Sequence, residues 1–134
     1  MGKKKKFKLP VQTSTRFKVI PPNYDDYKPS FSFRDMKYQG DVCLSAFDDS
    51  NKASVADKLL RLSQLKWKQI HSQPREALGY EPIPYDRFRI TLPSTVTKET
   101  TLLVFRFSET GRMAGYRIND TYHIVAVSSS HALY

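Results

Sequence analysis

The sequence is poorest in the residues that staple small proteins together. Its 134 residues include one cysteine, Cys43, so no disulfide can close within the chain. One thiol cannot build a cysteine-rich zinc site either, and the three histidines stand at no zinc-like spacing. Neither a metal nor a cofactor is expected. No apolar run nears the roughly 20 residues that a membrane-spanning helix needs. The opening "MGKKKKFKLP" carries charge with no apolar segment behind it, which excludes a signal peptide. It also lacks the Ser or Thr of the myristoylation pattern. A Gly-rich phosphate loop, a nucleophile elbow and a carboxylate pair of catalytic type are missing as well. Ser128 to Ser130 precede His131 directly, but neighbours on a strand point to opposite sides and make no catalytic pair. The single thiol fits a reducing, cytoplasmic setting, and within "DVCLSAF" it reads as a buried structural group rather than a nucleophile.

What is present is positive charge. Lys+Arg number 22 against 13 Asp+Glu, a net charge of +9, and the isoelectric point is about 9.7. Such a balance favours anionic partners, RNA first. Part of it is the run Lys3 to Lys6 with Lys8, which reads as a solvated tail or as a nucleic-acid contact.

Residues 1–30 form a basic, proline-rich tail ahead of a single domain at 31–134. The tail holds four of the eight prolines, yet Phe7, Phe17, Tyr24 and Tyr27 make it too aromatic for a plain solvated linker. It is expected to be extended, docked in part on the domain or ordered by a partner. Short strands are predicted around Phe31 to Met36 and Val42 to Phe47. Asp49 or Ser50 is predicted to cap a helix over about 53–62, in which Val55, Leu59 and Leu62 share a face. A second helix follows over about 66–72 and ends before Pro74. The segment from Ala77 to Glu99 reads as a connector with one short strand at Arg87 to Thr91, which its prolines confine to an edge or to pieces. "TTLLVFRF", "RMAGYRI" and "TYHIVAV" then make an antiparallel meander joined by the turn signals "SETG" and "ND". With tight turns, Phe107 faces Arg112 and Ile118 faces Thr121. Both faces of that meander are apolar, so helices should cover one and the tail or a partner the other. The fold class is α+β: short N-terminal strands, two helices and a C-terminal antiparallel meander of three to four strands.

The predicted register puts Arg106 and Arg117 on one face, with Tyr122 opposite Arg117. Arginine's planar fork binds phosphate bidentately and tyrosine stacks on bases, so these three are candidate substrate-binding residues. The plainer reading pairs the arginines with Glu109 or Asp120 on a solvated edge. "QLKWKQIHSQPR" adds Lys66 and Lys68 beside Trp67, with His71 and Arg75 following, and cations interleaved with an aromatic suit single-stranded nucleic acid. Trp67 itself reads as a core anchor. His123 reads as a packed strand residue. His131, in "SSSHALY", is more accessible and is a candidate acid–base group.

The run "LLVFRF", "GRMAGYRINDTYHIVAV", "HALY", preceded by a helical segment, resembles the C-terminal part of the RelE/ParE-type toxins of bacterial toxin–antitoxin systems. The resemblance covers roughly residues 52–134 and extends to small bacterial and phage proteins of the same arrangement. It implies a strand, two helices and then an antiparallel sheet. It also implies metal-independent cleavage of mRNA on the ribosome, or RNA binding without cleavage, and an antitoxin-like protein partner. In that scheme Arg106, Arg112 and Arg117 hold phosphate, and His131 or Tyr134 moves the proton as the 2′-hydroxyl attacks. Two features depart from the family: the 40-odd residues before the first helix are long, and nothing follows Tyr134. The competing reading is a non-catalytic phage or mobile-element protein that binds a protein partner through its sheet.

Overall fold

A computed structural model describes residues 20–38 and 40–134. The lysine run and most of the proline-rich tail lie outside the described residues. The elements run β1 (Ser30–Ser32), α1 (Asp49–Leu62), α2 (Trp67–His71), β2 (Tyr80–Pro84), β3 (Thr101–Arg106), β4 (Arg112–Ile118) and β5 (Thr121–Ser128). The strands form a five-stranded sheet in the order β1-β5-β4-β3-β2. β1 lies parallel to β5 and the remaining pairs are antiparallel. The class is α+β.

Local chemistry accounts for each helix end. Asp48, rather than Asp49 or Ser50, caps α1: its carboxylate accepts from Asn51 N at 2.8 Å, and Asp49 adds negative charge to the first turn. Val55 and Leu62 turn inward from this helix, as does Lys58. In α2 the Gln69 side chain folds back onto Lys66 N at 2.8 Å. Trp67 and Ile70 are fully buried, and Trp67 Nε1 donates to Asp120 O at 2.9 Å, which fixes α2 to the β4–β5 turn.

The "ND" turn is as tight as its sequence predicts. Ile118 faces Thr121, and Asn119 has φ 58°, a left-handed value that asparagine tolerates. The β3–β4 turn is one residue longer than expected. Arg106 faces Arg112, and Phe107 N bonds back to Gly111 O at 3.2 Å. That single slip moves Arg106 to the face opposite Arg117. A bulge also interrupts β5, where Ala114 pairs with Ala126 but Gly115 pairs with Ile124. Val125 is the extra residue, so Val125 and Ala126 pack on the same side while Val127 changes face.

Two other expectations fail for definable reasons. Residues 42–47 make a 3-10 turn at Leu44–Ala46, not a strand; Val42 meets the sheet through its carbonyl, which accepts from Val127 N, and through its side chain, packed on the sheet's core. The connector's strand is Tyr80–Pro84, upstream of the predicted 87–91. It holds Pro82 and Pro84 on the sheet's outer edge, where missing donors cost no ladder bonds.

Both sheet faces are covered by the chain itself. Leu62, Trp67, Ile70, Phe105, Met113, Tyr122, Ile124 and Val127 pack between helices and sheet. On the other face Ile83, Val96, Leu102, Val104, Tyr116 and Leu133 form a second core, closed by Phe88, Ile90 and Leu92 of the connector and by Tyr134. Among the described residues, the connector and the C-terminal residues cover this side. Gly115 lies under Tyr122: a Cβ there would stand 2.8 Å from Tyr122 Cζ and collide with the His123 carbonyl.

Candidate anion site at the second helix

β4 carries two of the predicted phosphate ligands, one at each end. Arg112, at the start, is buried. Its NH1 is shared among the carbonyls of Gly111 (2.9 Å), Glu109 (3.1 Å) and Ser108 (3.4 Å), so it clamps the β3–β4 turn. Its NH2 lies 3.5 Å from Nε2 of His131, an exposed residue with φ 61°. Arg112 and His131 therefore meet, but with the guanidinium already spent on backbone.

The far end of β4 is different. Arg117 lies flat over the indole of Trp67, its Cζ 4.3 Å from the ring centroid, an orientation that a buried aromatic stabilises. Its Nε donates to Asn119 O at 2.6 Å. Its NH1 reaches Asp25 Oδ1 at 2.8 Å and lies 3.3 Å from His71 Nε2. His71 closes α2, and its Nδ1 shares a hydrogen bond with the hydroxyl of Tyr80, the first residue of β2. The Asp25 carboxylate is also 3.5 Å from His71 Nε2. One residue on, Asp26 Oδ1 pairs with Lys68 Nζ at 2.9 Å. Lys66 stands exposed at the N-cap of the same helix.

The electrostatics follow the contacts. The hydrogen bond from Arg117 holds the Asp25 carboxyl below its ordinary value, and nearby His71 adds to this. Burial raises the Tyr80 hydroxyl, against the pull of Arg117. The corner thus presents Arg117 and Lys68 to oxyanions, with a tyrosine–histidine hydrogen bond at its edge.

The remaining predicted residues lie elsewhere. Tyr122 is wholly buried, its hydroxyl donating to Leu103 O at 2.6 Å, so the expectation that it meets a substrate is not fulfilled. Arg106 lines a cleft of about 300 Å³ with Lys58, Arg61 and the acids Asp57, Glu76 and Glu109. Lys58 there donates to Ala77 O, and burial lowers its pKa to about 8, with Arg61 adding to the shift. Tyr134 packs its ring against Phe88 at 5.6 Å and under Arg87 at 5.9 Å, a neighbourhood other than that of His131. Tyr116 donates to Asp35 and stacks on His123 at 5.0 Å. His123 Nδ1 sits 3.9 Å from the same carboxylate and has no hydrogen-bond partner among the described residues.

Of the six predicted substrate-binding residues, Arg117 and Lys68 come to one corner through Asp25 and Asp26, and Lys66 stands at the start of the same helix; Arg106, Arg112 and Tyr122 do not join them. His71 was noted in the sequence without a role. Tyr80, Asp25 and Asp26 were missed, although "NYDDY" is the one acidic pair in the basic first thirty residues. Among the described residues, no group of three metal-ligating side chains comes together, and no helix is long and apolar enough to cross a membrane. No family model, curated protein or solved structure matches this chain.

Proposed function

We propose that this chain is an RNA-binding protein of the RelE/ParE-like kind, working in the cytoplasm on RNA or the ribosome, and that it meets RNA phosphates at the α2 corner. One observation carries the reading. Arg117 and Lys68 share a surface that already holds oxyanions, in the form of two carboxylates, and the exposed Lys66 stands at the start of the same helix. Arginine and lysine make the same charge-assisted bonds to phosphate. The net charge of +9 and the order of strand, two helices and antiparallel sheet support the same reading. The competing idea, a partner docked on the sheet, loses its surface because both faces are covered from within. An antitoxin-like partner would instead mask the corner.

The test is the salt dependence of binding to single-stranded RNA. Lys66→Ala/Lys68→Ala should weaken binding and flatten the slope of log affinity on log salt by about 1.4, if each lysine meets one phosphate. A salt-independent affinity would sink the phosphate reading.

The Tyr80–His71 hydrogen bond favours a second step, cleavage. Here the 2′-oxygen attacks a phosphorus held by Arg117 as His71 takes its proton; the P–O5′ bond breaks, leaving a 2′,3′-cyclic phosphate and a 5′-oxygen that takes a proton from water, while Tyr80 orients the imidazole. This role was assigned from sequence to His131 or Tyr134. RNA cleavage and growth arrest on induction, compared for wild type, His71→Ala and His131→Ala, decide between them. Loss only in His131→Ala would return the site to the chain's C-terminal end.

A further inference from the structure

The corner's cations are not open. Arg117 and Lys68 are each met by a carboxylate from one short stretch, the 3-10 turn Tyr24–Asp26. Asp25 takes Arg117 and approaches His71, and Asp26 takes Lys68. We propose that this turn is an internal stand-in for phosphate and that RNA binds by displacing it. The inference rests on the RNA reading and adds a regulator to the same site.

The turn is built to hold without being locked. No residue of it is buried, and the Asp25 and Asp26 side chains are 43% and 50% exposed. Ion pairs in that setting are weak and salt-sensitive. The turn's own hydrogen bonds are local: Asn23 Oδ1 accepts from Asp25 N at 3.1 Å, and Asn23 O from Asp26 N at 3.0 Å. It can keep its shape while its carboxylates leave. The chain just beyond is anchored, through Trp67 N to Tyr27 O at 2.9 Å and through β1 on β5. A displaced turn therefore stays tethered beside the cations, at the high effective concentration that a short linker imposes. RNA competes successfully because it offers several phosphates at once and releases counterions as it binds.

A merely structural turn predicts the opposite sign. If Asp25 and Asp26 only brace the corner, neutralising them leaves RNA affinity unchanged or lowers it. Displacement predicts a gain. With labelled single-stranded oligouridine, Asp25→Asn/Asp26→Asn should bind about threefold to thirtyfold tighter than wild type, from two surface pairs. Asp86→Asn/Glu99→Gln makes the same charge change at exposed sites elsewhere and should gain much less at physiological salt. In the wild-type protein, carboxyl carbon NMR signals of Asp25 and Asp26 should move toward free-aspartate positions as oligouridine is added. Binding by the double variant alone would support displacement most strongly. An equal gain in the control pair, no gain in the double variant, or unmoved carboxyl signals while RNA binds would overturn it and leave RNA binding standing. If neither wild type nor double variant binds, the RNA reading itself falls, and the competition with it.

Discussion

Arg112 and Arg117 stand on the same strand, five residues or about 17 Å apart at the usual strand rise, and they lead opposite lives. Arg112 is 4% exposed, with backbone carbonyls as partners. The Arg117 side chain is 17% exposed; its Nε holds one turn carbonyl, Asn119 O, while its outer nitrogen has a carboxylate and a histidine as partners. Carbonyls of a tight turn cannot leave without unfolding the turn. A carboxylate on a surface segment can. The availability of an arginine to a ligand therefore depends less on burial than on what its present partners would lose by letting go.

That contrast breaks most visibly at Arg112. Arg112→Ala opens a buried void and strips a donor from the carbonyls of the β3–β4 turn. It should cost about 3 kcal/mol, as the loss of a buried charged donor does, read as a lower urea midpoint. RNA affinity per folded molecule should hold. A stability loss under about 1 kcal/mol would mean that the clamp is ornamental and the two ends are alike.

Between the two ends, Gly115 tests whether the strand keeps them independent. Gly115→Ala drives a methyl toward Tyr122 and the His123 carbonyl. Overpacking of this kind costs about 2 kcal/mol, again seen in the urea midpoint. A neutral result would show that the β5 backbone at His123 gives way together with the Tyr122 ring, and with them the wall on which Trp67 and Arg117 rest.

Arg117→Gln reverses the Arg112 pattern. It gives up a surface ion pair and a stack on Trp67, together about 1 kcal/mol of stability. RNA affinity should fall about tenfold, because a charge-assisted phosphate contact is lost. Unchanged affinity would remove Arg117 from the RNA surface and leave Lys66 and Lys68 without their centre.

The same contrast explains what could be read from sequence. Element types were legible wherever side-chain periodicity and turn chemistry agreed, as at α1, α2 and the "ND" hairpin. The convergence of Lys68 and Arg117 is half legible, since residue type marks both and nothing local marks them as neighbours. Two local irregularities hid the rest. The longer β3–β4 turn moved Arg106 to another face, and the β5 bulge at Val125 regrouped the strand's end. Neither leaves a periodic trace. Tyr122 looked like a ligand because its partners, Leu103 O and Met113 O, belong to other strands. Asp25 and Asp26 were passed over because proline and lysine dominate the tail around them, and the parallel β1–β5 pairing that brings them to α2 leaves no local signal.

The smallest expected effect is also the most selective. Arg117 holds Asp25 below its ordinary carboxyl pKa of 3.8. A depressed carboxyl gives stability that is fully present above the unfolded value and is lost as pH falls through the folded one. The window thus opens below about pH 4 and extends downward, toward acid. The Arg112 clamp contains no carboxylate, since its acceptors are carbonyls, and it does not titrate there. Acid should loosen the Arg117 corner first. On titration from about pH 5, below the ordinary histidine range, to about pH 2, the Arg117 side-chain NMR signals should shift with the protonation of Asp25, while the Arg112 signals hold until global unfolding. Asp25→Asn should abolish the early shift without touching the later one. Simultaneous movement of both arginines in wild type would mean that the two ends of β4 are one cooperative unit, and that the turn Tyr24–Asp26 is held by the whole fold rather than by a detachable pair of charges.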